Sequence, residues 1–502
     1  MVKWSEVVYS FLILFLVAGL MLFVYIGYLL IWRRLKYRHI PGPPLAHVIK
    51  GHAGDMLKKI ADGFPLDEYL LDCHKSYGNV VLIWLYHEPL LSVTSPAMVK
   101  ETLVLNRFPK SSKLFQCGVR LFGARLAGHG LITNFDHENW MKRRELMNPA
   151  FHRRYLRNLV PIFNSCCKRL ERKLESSANG VTKVRFLDEL GLVTLDVMCL
   201  AGYGKDFDIV NNPNSQFPKA FNLTMEGMEM FAFNPFHQLD VRTFKFQREV
   251  IEACRFLRKT GNEMITQRRQ DLLNGVDVPN DILTFILKSA DKATDLSDED
   301  LIDEFVTFFY AGHETTARTL AFCLMELAFY PEVKAKLLEE IANVLGERDD
   351  DVTFENLPKL EYTWFCIRET LRLYPIAAGI RRYIDKPSIL NGIKIPGKTD
   401  LYVSSYVSAR HPDHFDHPEE FIPERWASHD IVTSSGLTSF PFSVGYRTCI
   451  GQTFAQIESK ILLARILRKF SIQLVPGHTK KITQRITIQP REGIECSLKR
   501  RI

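Results

Sequence analysis

The stretch Phe442-Ser-Val-Gly-Tyr-Arg-Thr-Cys-Ile-Gly451 decides how the rest of the chain is interpreted. It places one cysteine, Cys449, in a loop between two glycines, two positions after Arg447 and just before a predicted helix from Gln452 to Leu467. The free N–H groups and the dipole at the start of a helix favour a thiolate over a thiol. The glycines allow tight turns and let a flat group approach the backbone closely. The stretch therefore predicts a thiolate that faces an open space.

A thiolate in this setting suits the proximal position of a haem iron. A cysteinate ligand pushes electron density towards the iron and favours cleavage of an O–O bond. The alternative interpretation is a buried cysteine beside an ordinary turn, which is the usual environment of a lone cysteine. The phenylalanine, arginine and two glycines in the stretch from Phe442 to Gly451 favour the interpretation of Cys449 as an iron ligand.

The N-terminal segment has the composition of a membrane anchor. No charged residue occurs in the 26 positions from Val7 to Trp32. A bilayer requires about 20 apolar residues, whereas the core of a signal peptide has about 7 to 15. The basic stretch Arg33-Arg-Leu-Lys-Tyr-Arg38 follows, and by the positive-inside rule it places the body of the protein in the cytosol. A buried helix of the globular body is the alternative, but no charged residue interrupts the run.

The composition allows a large core and gives no sign of nucleic-acid binding. The chain has 502 residues, 46% of them hydrophobic, and a formal net charge of +8, part of which follows the first apolar segment. That charge suits a membrane surface or a protein partner, so nucleic acid is not expected as a partner. The ten cysteines are scattered without C-x-x-C pairs, which indicates a reducing compartment without a disulfide framework or zinc site.

The body reads as mainly α with a minor β-sheet. Residues 80–86 and 90–93 have the pattern of paired strands, whereas residues 151–174 and 248–273 have helical periodicity. The sequence Ile40-Pro-Gly-Pro-Pro44 cannot continue a helix, so it predicts a stiff hinge between the anchor and the body.

Trp140 and Arg144 lie four positions apart in a predicted helix and therefore share one face. An indole and a guanidinium side by side suit a macrocycle with carboxylate groups, although an ordinary surface helix could carry the same pair. A basic cluster surrounds this helix, and its interpretation as a solvated face or as a docking surface for an acidic redox partner is left open. Its members are Lys142, Arg143, Arg153, Arg154 and Arg157.

A helix of about 33 residues is predicted between a capping-box-like start, Ser297-Asp-Glu-Asp300, and Pro331. Its length indicates that it runs through the middle of the molecule. Near its centre lies Ala311-Gly-His-Glu-Thr-Thr316. Gly312 removes a side chain, and the hydroxyl of Thr315 can bond back to the helix backbone and bend it locally. The pattern predicts a polar notch in an apolar wall.

Two histidine-containing segments could suggest a metal site, but neither has the expected pattern. His313-Glu314 lacks the second histidine of the H-E-x-x-H zinc motif, because Ala317 stands in its place. His411, His414 and His417 lie in a loop, and we expect them to face solvent.

Together these motifs resemble those of the cytochrome P450 family, from about Tyr37 to the end of the chain. The resemblance implies a P450 fold preceded by one transmembrane helix, with an anchor at 1–32, a basic and proline-rich hinge at 33–50 and a haem-thiolate catalytic domain at 51–502. It implies a monooxygenase that uses haem and O2, with electrons from NADPH through NADPH-cytochrome P450 reductase. Similarity to the microsomal members implies a single-pass protein of the endoplasmic reticulum membrane with a cytosolic catalytic domain.

The resemblance also implies roles for individual residues. Cys449 would hold the iron, and Glu314 and Thr315 would help to deliver protons to bound dioxygen. The other residues expected to contact the haem are Trp140, Arg144, Arg382, Phe442, Arg447 and Gly451.

Glu369 and Arg372 lie one helical turn apart in Glu-x-x-Arg, and Arg425 follows in Pro-Glu-Arg. Such pairs are usually surface ion pairs that contribute well under about 1 kcal/mol. In the family that the chain resembles, the corresponding residues form a buried triad that supports the haem loop, and we expect the same structural role here.

The expected substrate is a sterol, because residues 37–44, 305–315 and 440–452 are similar to family members that hydroxylate sterol side chains. An apolar pocket and a membrane anchor suit a ligand that partitions from lipid. Fatty acids or xenobiotics are the alternative substrates, and a non-enzymatic haem sensor or carrier is a more distant alternative. The candidate pocket residues are Phe115, Phe122, Leu126, Phe305, Phe309, Ala311, Ile376, Ala377 and Ile380.

Overall fold

The computed structural model describes residues 4–234, 237, 240–290, 296–346 and 350–501, and its chain is mainly helical. Long helices form the body, and short helical turns link them. The α-helices are α1 Trp4–Leu35, α2 Ala53–Asp62, α3 Leu66–Tyr77, α4 Pro96–Lys100, α5 Ser112–Val119, α6 His137–Met147, α7 Arg153–Leu156, α8 Val160–Glu175, α9 Phe186–Val197, α10 Gln216–Phe233, α11 Phe244–Leu273, α12 Ile282–Ala290, α13 Asp298–Phe329, α14 Pro331–Leu345, α15 Glu361–Leu373, α16 Ser405–Ser408, α17 His429–Ser434 and α18 Gln452–Lys469.

The strands are short and form small sheets. They are β1 Val80–Leu85, β2 Glu88–Val93, β3 Arg120–Leu121, β4 Ala124–Arg125, β5 Asn179–Arg185, β6 Gly379–Ile384, β7 Ser388–Leu390, β8 Ile393–Ile395, β9 Thr399–Ser404, β10 Phe470–Leu474, β11 Ile482–Gln484, β12 Ile488–Pro490 and β13 Glu495–Arg500. Within the described ranges, β1-β2-β9-β6 form a four-stranded sheet and β10-β13-β5 a three-stranded one. The remaining strands pair as two-stranded ribbons.

The predicted strand pair is confirmed. β1 and β2 are antiparallel, with Val80 opposite Val93 and Leu85 opposite Glu88. β2 is parallel to β9, and β9 is antiparallel to β6. The pairing with β9 thereby fixes the position of β6, the strand that carries Arg382.

The long central helix is also confirmed as α13. Ser297 caps it: its hydroxyl accepts from the Asp300 N–H while the Asp300 carboxylate accepts from the Ser297 N–H. Tyr330 ends it and Pro331 opens α14 at the position where a missing N–H is tolerated. α13 packs against α9, α11, α15 and α18, which makes it the centre of the largest hydrophobic core.

The helix predicted over residues 151–174 is interrupted. A 3-10 turn at Asn148–Phe151, the single turn of α7 and a second 3-10 turn at Arg157–Leu159 precede α8. Pro161 lies in the first turn of α8. Because proline lacks an N–H and its ring crowds the preceding turn, a continuous helix through this position is disfavoured.

At the N-terminus, the segment Phe11–Leu35 of α1 is long and apolar enough to cross a membrane, and none of its described side chains is buried. The predicted hinge is not a free linker, because it packs on the body. Tyr37 is buried and its hydroxyl lies 2.7 Å from the Thr399 hydroxyl. The Pro41 carbonyl accepts from the Leu82 N–H at 2.8 Å.

Candidate active site

The loop that carries Cys449 is held by its own backbone. The Cys449 N–H donates to the Phe442 carbonyl at 2.8 Å, and the Thr448 N–H donates to the Gly445 carbonyl at 3.1 Å. Gly445 has a φ of 78°, and a Cβ at this position would overlap the carbonyl oxygen of Leu103. Any larger residue is therefore excluded, and the loop packs backbone to backbone on the segment that contains Leu103.

Cys449 differs from the other cysteines. All ten are free thiols; nine are buried, and the Cys449 side chain is exposed. The protein packed around this sulfur nevertheless raises the pKa of the thiol, while an N–H from Gly451 and the charge of Arg144 lower it. The start of α18 thus acts in the predicted direction, but its effect is smaller than that of burial. A cation at the sulfur would supply the remaining stabilisation of the thiolate.

Three arginines from α6, β6 and the cysteine loop approach one another around aromatic rings. The guanidinium carbons of Arg447 and Arg144 lie 4.3 and 5.9 Å from the centroid of the Trp140 ring. The guanidinium carbon of Arg382 lies 6.0 Å from the Tyr446 ring. The spacing of Trp140 and Arg144 in α6 therefore places both side chains at the cysteine loop, where Arg144 donates to the Thr448 carbonyl at 2.8 Å.

This cation cluster, Arg144, Arg382 and Arg447, has no acidic partner among the described residues. Arg382 is 2% exposed and its Nε has no hydrogen-bond partner there. Burial and the charge of Arg382 lower the pKa of Arg447 to about 10. Burial and the charges of Arg447 and Arg382 also lower the pKa of the neighbouring Lys110. Buried cations without a counter-charge are unfavourable. The cluster, next to an exposed thiol, therefore fits a flat group with carboxylates, such as haem.

The central helix opens a polar notch where the sequence predicts one. Residues 301–309 are all buried, whereas four of the five residues from 311 to 315 keep partial exposure. The Thr315 hydroxyl donates to the Ala311 carbonyl at 2.8 Å, which is the predicted return to the backbone. The glycine does not create this opening, because a Cβ at Gly312 would overlap Met198, on the side of α13 that also carries Phe305 and Phe309. The notch is formed by the partly exposed Ala311, Glu314 and Thr315.

His313 lies outside the notch. Its ring is buried, its Nδ1 lies 2.8 Å from the Phe309 carbonyl oxygen, and it meets the Phe221 ring edge-on at 4.5 Å between centroids. Burial lowers the pKa of His313 to about 4, so the ring is neutral at physiological pH. It is a core histidine.

Glu314 forms an ion pair with Arg318 of the same helix. Arg318 donates through Nη2 to Glu314 Oε1 and through Nη1 to the Thr487 hydroxyl. Thr487 in turn donates to Glu314 Oε2 across 3.5 Å. Burial raises the pKa of Glu314, and the charges of Arg318 and Arg485 oppose this rise. The spacing of Glu314 and Arg318 by four in a helix could have signalled the pair, but nothing local points to Thr487.

Comparison with known proteins agrees with this geometry. The family model for cytochrome P450 matches residues 41–496. The chain belongs to the cytochrome P450 family. It is 28% identical over 512 residues to Cytochrome P450 4d2 of Drosophila melanogaster, which covers 97% of this chain and 99% of that protein. It is 30% identical over 439 residues to Cytochrome P450 3A29 of Sus scrofa, with 84% of each chain covered.

A plant relative shows the breadth of the match. Protein LUTEIN DEFICIENT 5, chloroplastic, of Arabidopsis thaliana is 30% identical over 458 residues, which are 87% of this chain and 74% of that protein. Cytochrome P450 enzymes are monooxygenases that use thiolate-ligated haem, O2 and electrons from a redox partner. Their substrates are diverse and generally lipophilic.

In this P450, the triad expected from the two charged motifs is assembled and buried. Glu369 Oε1 accepts from Arg372 Nη2 at 2.8 Å and from Arg425 Nε at 2.9 Å. Glu369 Oε2 accepts from Arg372 Nε at 2.9 Å and from the Trp426 indole N–H at 3.0 Å. Trp426 was not foreseen, although it directly follows Arg425 in the sequence. The four contacts fix the segment before the cysteine loop to α15.

The candidate pocket residues divide into two groups. Phe115, Phe122, Ala311, Ala377 and Ile380 keep accessible surface. The buried ones are Leu126, Phe305, Phe309 and Ile376.

Phe305 and Phe309 do not line the notch. Both pack in the core against Tyr203, at 4.6 and 4.9 Å between ring centroids. A Cβ on Gly261 of α11 would contact the Phe305 ring at 2.7 Å. In α13 they point to a different side from Ala311 and Thr315, and their place in the pocket wall stays a prediction.

Two further surface expectations are corrected. His411 is buried, and only His417 of the three loop histidines is exposed; no group of three or more possible metal ligands occurs in the described chain. In the basic cluster, Arg143 is also buried, where it pairs with Asp300 and lies 3.5 Å from Glu304. Lys142 and the arginines 153, 154 and 157 remain exposed.

Proposed function

We propose that this P450 is a membrane-bound enzyme in which Cys449 is the haem ligand and whose substrate is a sterol. The observation that supports the ligand assignment is the exposed Cys449 thiol beside three arginines without acidic partners. The thiol therefore suits the haem iron, and the three arginines suit the haem carboxylates. Phe442 and Gly451 flank the sulfur from the same loop.

In this proposal each residue has a separate task. Bound haem supplies the activation of O2 for insertion of one oxygen atom into a C–H bond. Cys449 holds it, while Arg144, Arg382 and Arg447 bind its carboxylates and Trp140 packs beside them. The overall change is R–H + O2 + 2 electrons + 2 protons giving R–OH and water.

Protons reach the site along α13. Thr315 and Glu314 lie in the polar notch, and we assign them the task of passing solvent protons to the reacting side. The Thr315 hydroxyl is held by the Ala311 carbonyl, so its oxygen can accept from a water or from the acid. Glu314 takes a proton from water and passes it on, and its carboxylate is then restored.

The substrate proposal rests on sequence similarity to cholesterol 24-hydroxylase in residues 37–44, 305–315 and 440–452. The candidate residues Phe115, Phe122, Ala377 and Ile380 keep accessible surface and, in this proposal, would supply the apolar lining that a sterol needs. A fatty acid or a xenobiotic suits the same lining, and it is the second candidate. Family membership makes a non-enzymatic haem sensor or carrier the least favoured option.

The proposed location is the endoplasmic reticulum membrane, with α1 as a single span and the catalytic body in the cytosol. The last turn of α1 carries Arg33 and Arg34, the charges that the positive-inside rule places on the cytosolic side. NADPH-cytochrome P450 reductase is the proposed electron donor, with the exposed Lys142, Arg153 and Arg154 as part of its docking surface.

Spectroscopy of the purified, haem-loaded full chain tests both levels of the proposal. The reduced carbon monoxide complex of the wild type should show the thiolate-type spectrum, and Cys449→Ser should lose it. The control is Cys254→Ser, at a buried cysteine. A thiolate-type spectrum in Cys449→Ser would exclude this ligand.

Binding difference spectra then separate the substrates. Cholesterol, lauric acid and a panel of drug-like molecules are titrated into the oxidised protein. A low-to-high-spin shift at low cholesterol concentration supports the sterol. A shift with lauric acid or with many unrelated compounds, but not with cholesterol, discards the sterol and leaves the monooxygenase.

A further inference from the structure

Arg318 occupies an unusual place in the central helix. It lies one turn after Glu314, inside α13, and its side chain is 5% exposed. Its guanidinium donates hydrogen bonds to both the Glu314 carboxylate and the Thr487 hydroxyl. A buried arginine with two fixed partners is a rigid element, because each hydrogen bond restricts the same planar group.

Thr487 brings a distant part of the chain to this pair. It lies in the turn between β11 and β12, 169 residues after Arg318. The turn is itself fixed: the Arg485 N–H donates to the Thr487 carbonyl at 3.0 Å, and the Ile488 N–H donates to the Ile376 carbonyl at 3.1 Å. A movement of this turn would therefore be transmitted to Arg318 and Glu314.

A second ion pair joins the turn to α10. Arg485 lies 3.2 Å from Glu229, so α10, α13 and the hairpin turn meet in a cluster of two acids and two arginines. The formal charges of the four side chains cancel. Besides them, the groups that face the Glu314 carboxylate are the Thr487 hydroxyl and Tyr310 of the same helix.

The two carboxylate oxygens of Glu314 are held differently. Oε1 accepts the charged hydrogen bond from Arg318, whereas Oε2 has only the 3.5 Å contact from Thr487. A charge-assisted bond is about twice as strong as a neutral one, and a contact at the limit of hydrogen-bonding distance is weak. Oε2 is thus the oxygen able to exchange a proton with water while Oε1 keeps the side chain in place.

We propose that Arg318 is a positioning residue which holds the Glu314 carboxylate for proton transfer, and that Thr487 couples this pair to the β11–β12 turn. The inference rests on the proposed role of Glu314. One proton enters at Oε2 from water and leaves towards Thr315, and the carboxylate regains its negative charge. The electrons of the reaction come from the redox partner and do not pass through these residues.

The experiment compares Arg318→Met, Arg318→Lys and Thr487→Val in the full-length, haem-loaded enzyme with reductase. The probe is cholesterol, or lauric acid if cholesterol gives no spectral shift. The measured quantities are the fraction of NADPH recovered as hydroxylated product instead of hydrogen peroxide, and its dependence on pH. The matched control is Arg258→Met, which also removes a mostly buried arginine that pairs with α13, through Asp303, away from the notch.

Arg318→Met is expected to lower the product fraction at least fivefold and to move the midpoint of its pH profile upward by one unit or more. The reason is that the lost positive charge no longer favours the Glu314 anion. Arg318→Lys should recover part of both effects, and Thr487→Val should lower the product fraction about twofold. Arg258→Met should leave the fraction and the midpoint unchanged.

Two results would overturn the inference: an unchanged product fraction in Arg318→Met, or a loss without a shifted midpoint and without recovery in Arg318→Lys. If Arg318→Met fails to fold, Thr487→Val and Arg318→Lys decide the matter, and wild-type behaviour in both rejects it. Glu314→Gln separates this inference from the proposed function. A wild-type product fraction in Glu314→Gln rejects the proton path itself, whereas a loss there with an unaffected Arg318→Met rejects only the positioning role.

Discussion

The Glu369 carboxylate lies 2.9 Å from the guanidinium of Arg425, 56 residues further along the chain, and both side chains are buried. Arg372 completes the triad and also donates to the carbonyls of Ala409, Pro418 and Glu420. One carboxylate thus pairs with two buried arginines and fixes the segment that leads to the cysteine loop.

Glu369→Gln should therefore destabilise the protein strongly. It leaves two buried guanidinium groups without a counter-charge, which costs roughly 3–5 kcal/mol. Denaturant unfolding of the purified protein measures the loss, and the yield of haem-loaded protein should fall with it. The control is Lys336→Met, which removes the exposed Lys336–Glu424 pair and should leave the free energy of unfolding nearly unchanged. Equal losses in the two variants would contradict the triad's structural role.

Gly445→Ala should disrupt the cysteine loop. Gly445 adopts a positive φ, which costs other residues about 1–3 kcal/mol, and a Cβ there also overlaps the Leu103 carbonyl. We expect haem-depleted protein, measured as the ratio of haem absorbance to protein absorbance. Gly436→Ala is the control, because nothing lies within 4 Å of a Cβ at that position. Normal haem content in Gly445→Ala would show that the loop can rearrange.

Arg382→Met should have opposite effects on the apoprotein and the holoprotein. Arg382 is buried, has no acidic partner among the described residues and is repelled by Arg447, so its removal should stabilise the apoprotein or leave it unchanged. Loss of a cation that binds the haem carboxylates should speed haem release several-fold. Haem transfer to apomyoglobin measures the release rate, and denaturation measures apoprotein stability. A destabilised apoprotein with an unchanged release rate would reject the proposed contact.

The sequence predicted the parts of the site that depend on local spacing. Trp140 and Arg144 meet the cysteine loop because α6 is a regular helix, and Thr315 bonds to Ala311 for the same reason. The N-terminal cap of α13 is likewise local, because Ser297 and Asp300 lie only three positions apart.

Features that depend on long-range packing could not be predicted from local sequence. The link from Arg318 to Thr487 spans 169 residues, and no local pattern contains it. The side to which Phe305 and Phe309 turn depends on Tyr203 and Gly261, which lie in other parts of the chain. Apolar residues around a long central helix are buried on several sides, so hydrophobicity alone does not identify the side that faces a ligand.

A buried acid behind the notch gives a stability prediction that depends on pH. Glu458 of α18 is fully buried, and neither carboxylate oxygen has a hydrogen-bond partner among the described residues. The nearby Thr316 hydroxyl donates to the Gly312 carbonyl. Burial raises the pKa of Glu458 from 4.5 to about 8. Between these values the folded protein binds a proton that the unfolded chain has released, so this group's contribution to stability is complete below pH 4.5 and is lost as pH rises towards 8.

Glutamine does not titrate, so Glu458→Gln does not lose stability through this group as pH rises. The free energy of unfolding of the variant minus that of wild type should therefore increase by roughly 1 kcal/mol per pH unit above pH 5. Urea unfolding of both proteins at three pH values between 5 and 8 measures the difference. Subtraction at each pH cancels the other titrating groups that the two proteins share. Glu263→Gln, at an exposed glutamate, should show a constant difference over the same range. If the Glu458→Gln difference is also constant, then Glu458 does not remain protonated in the folded protein.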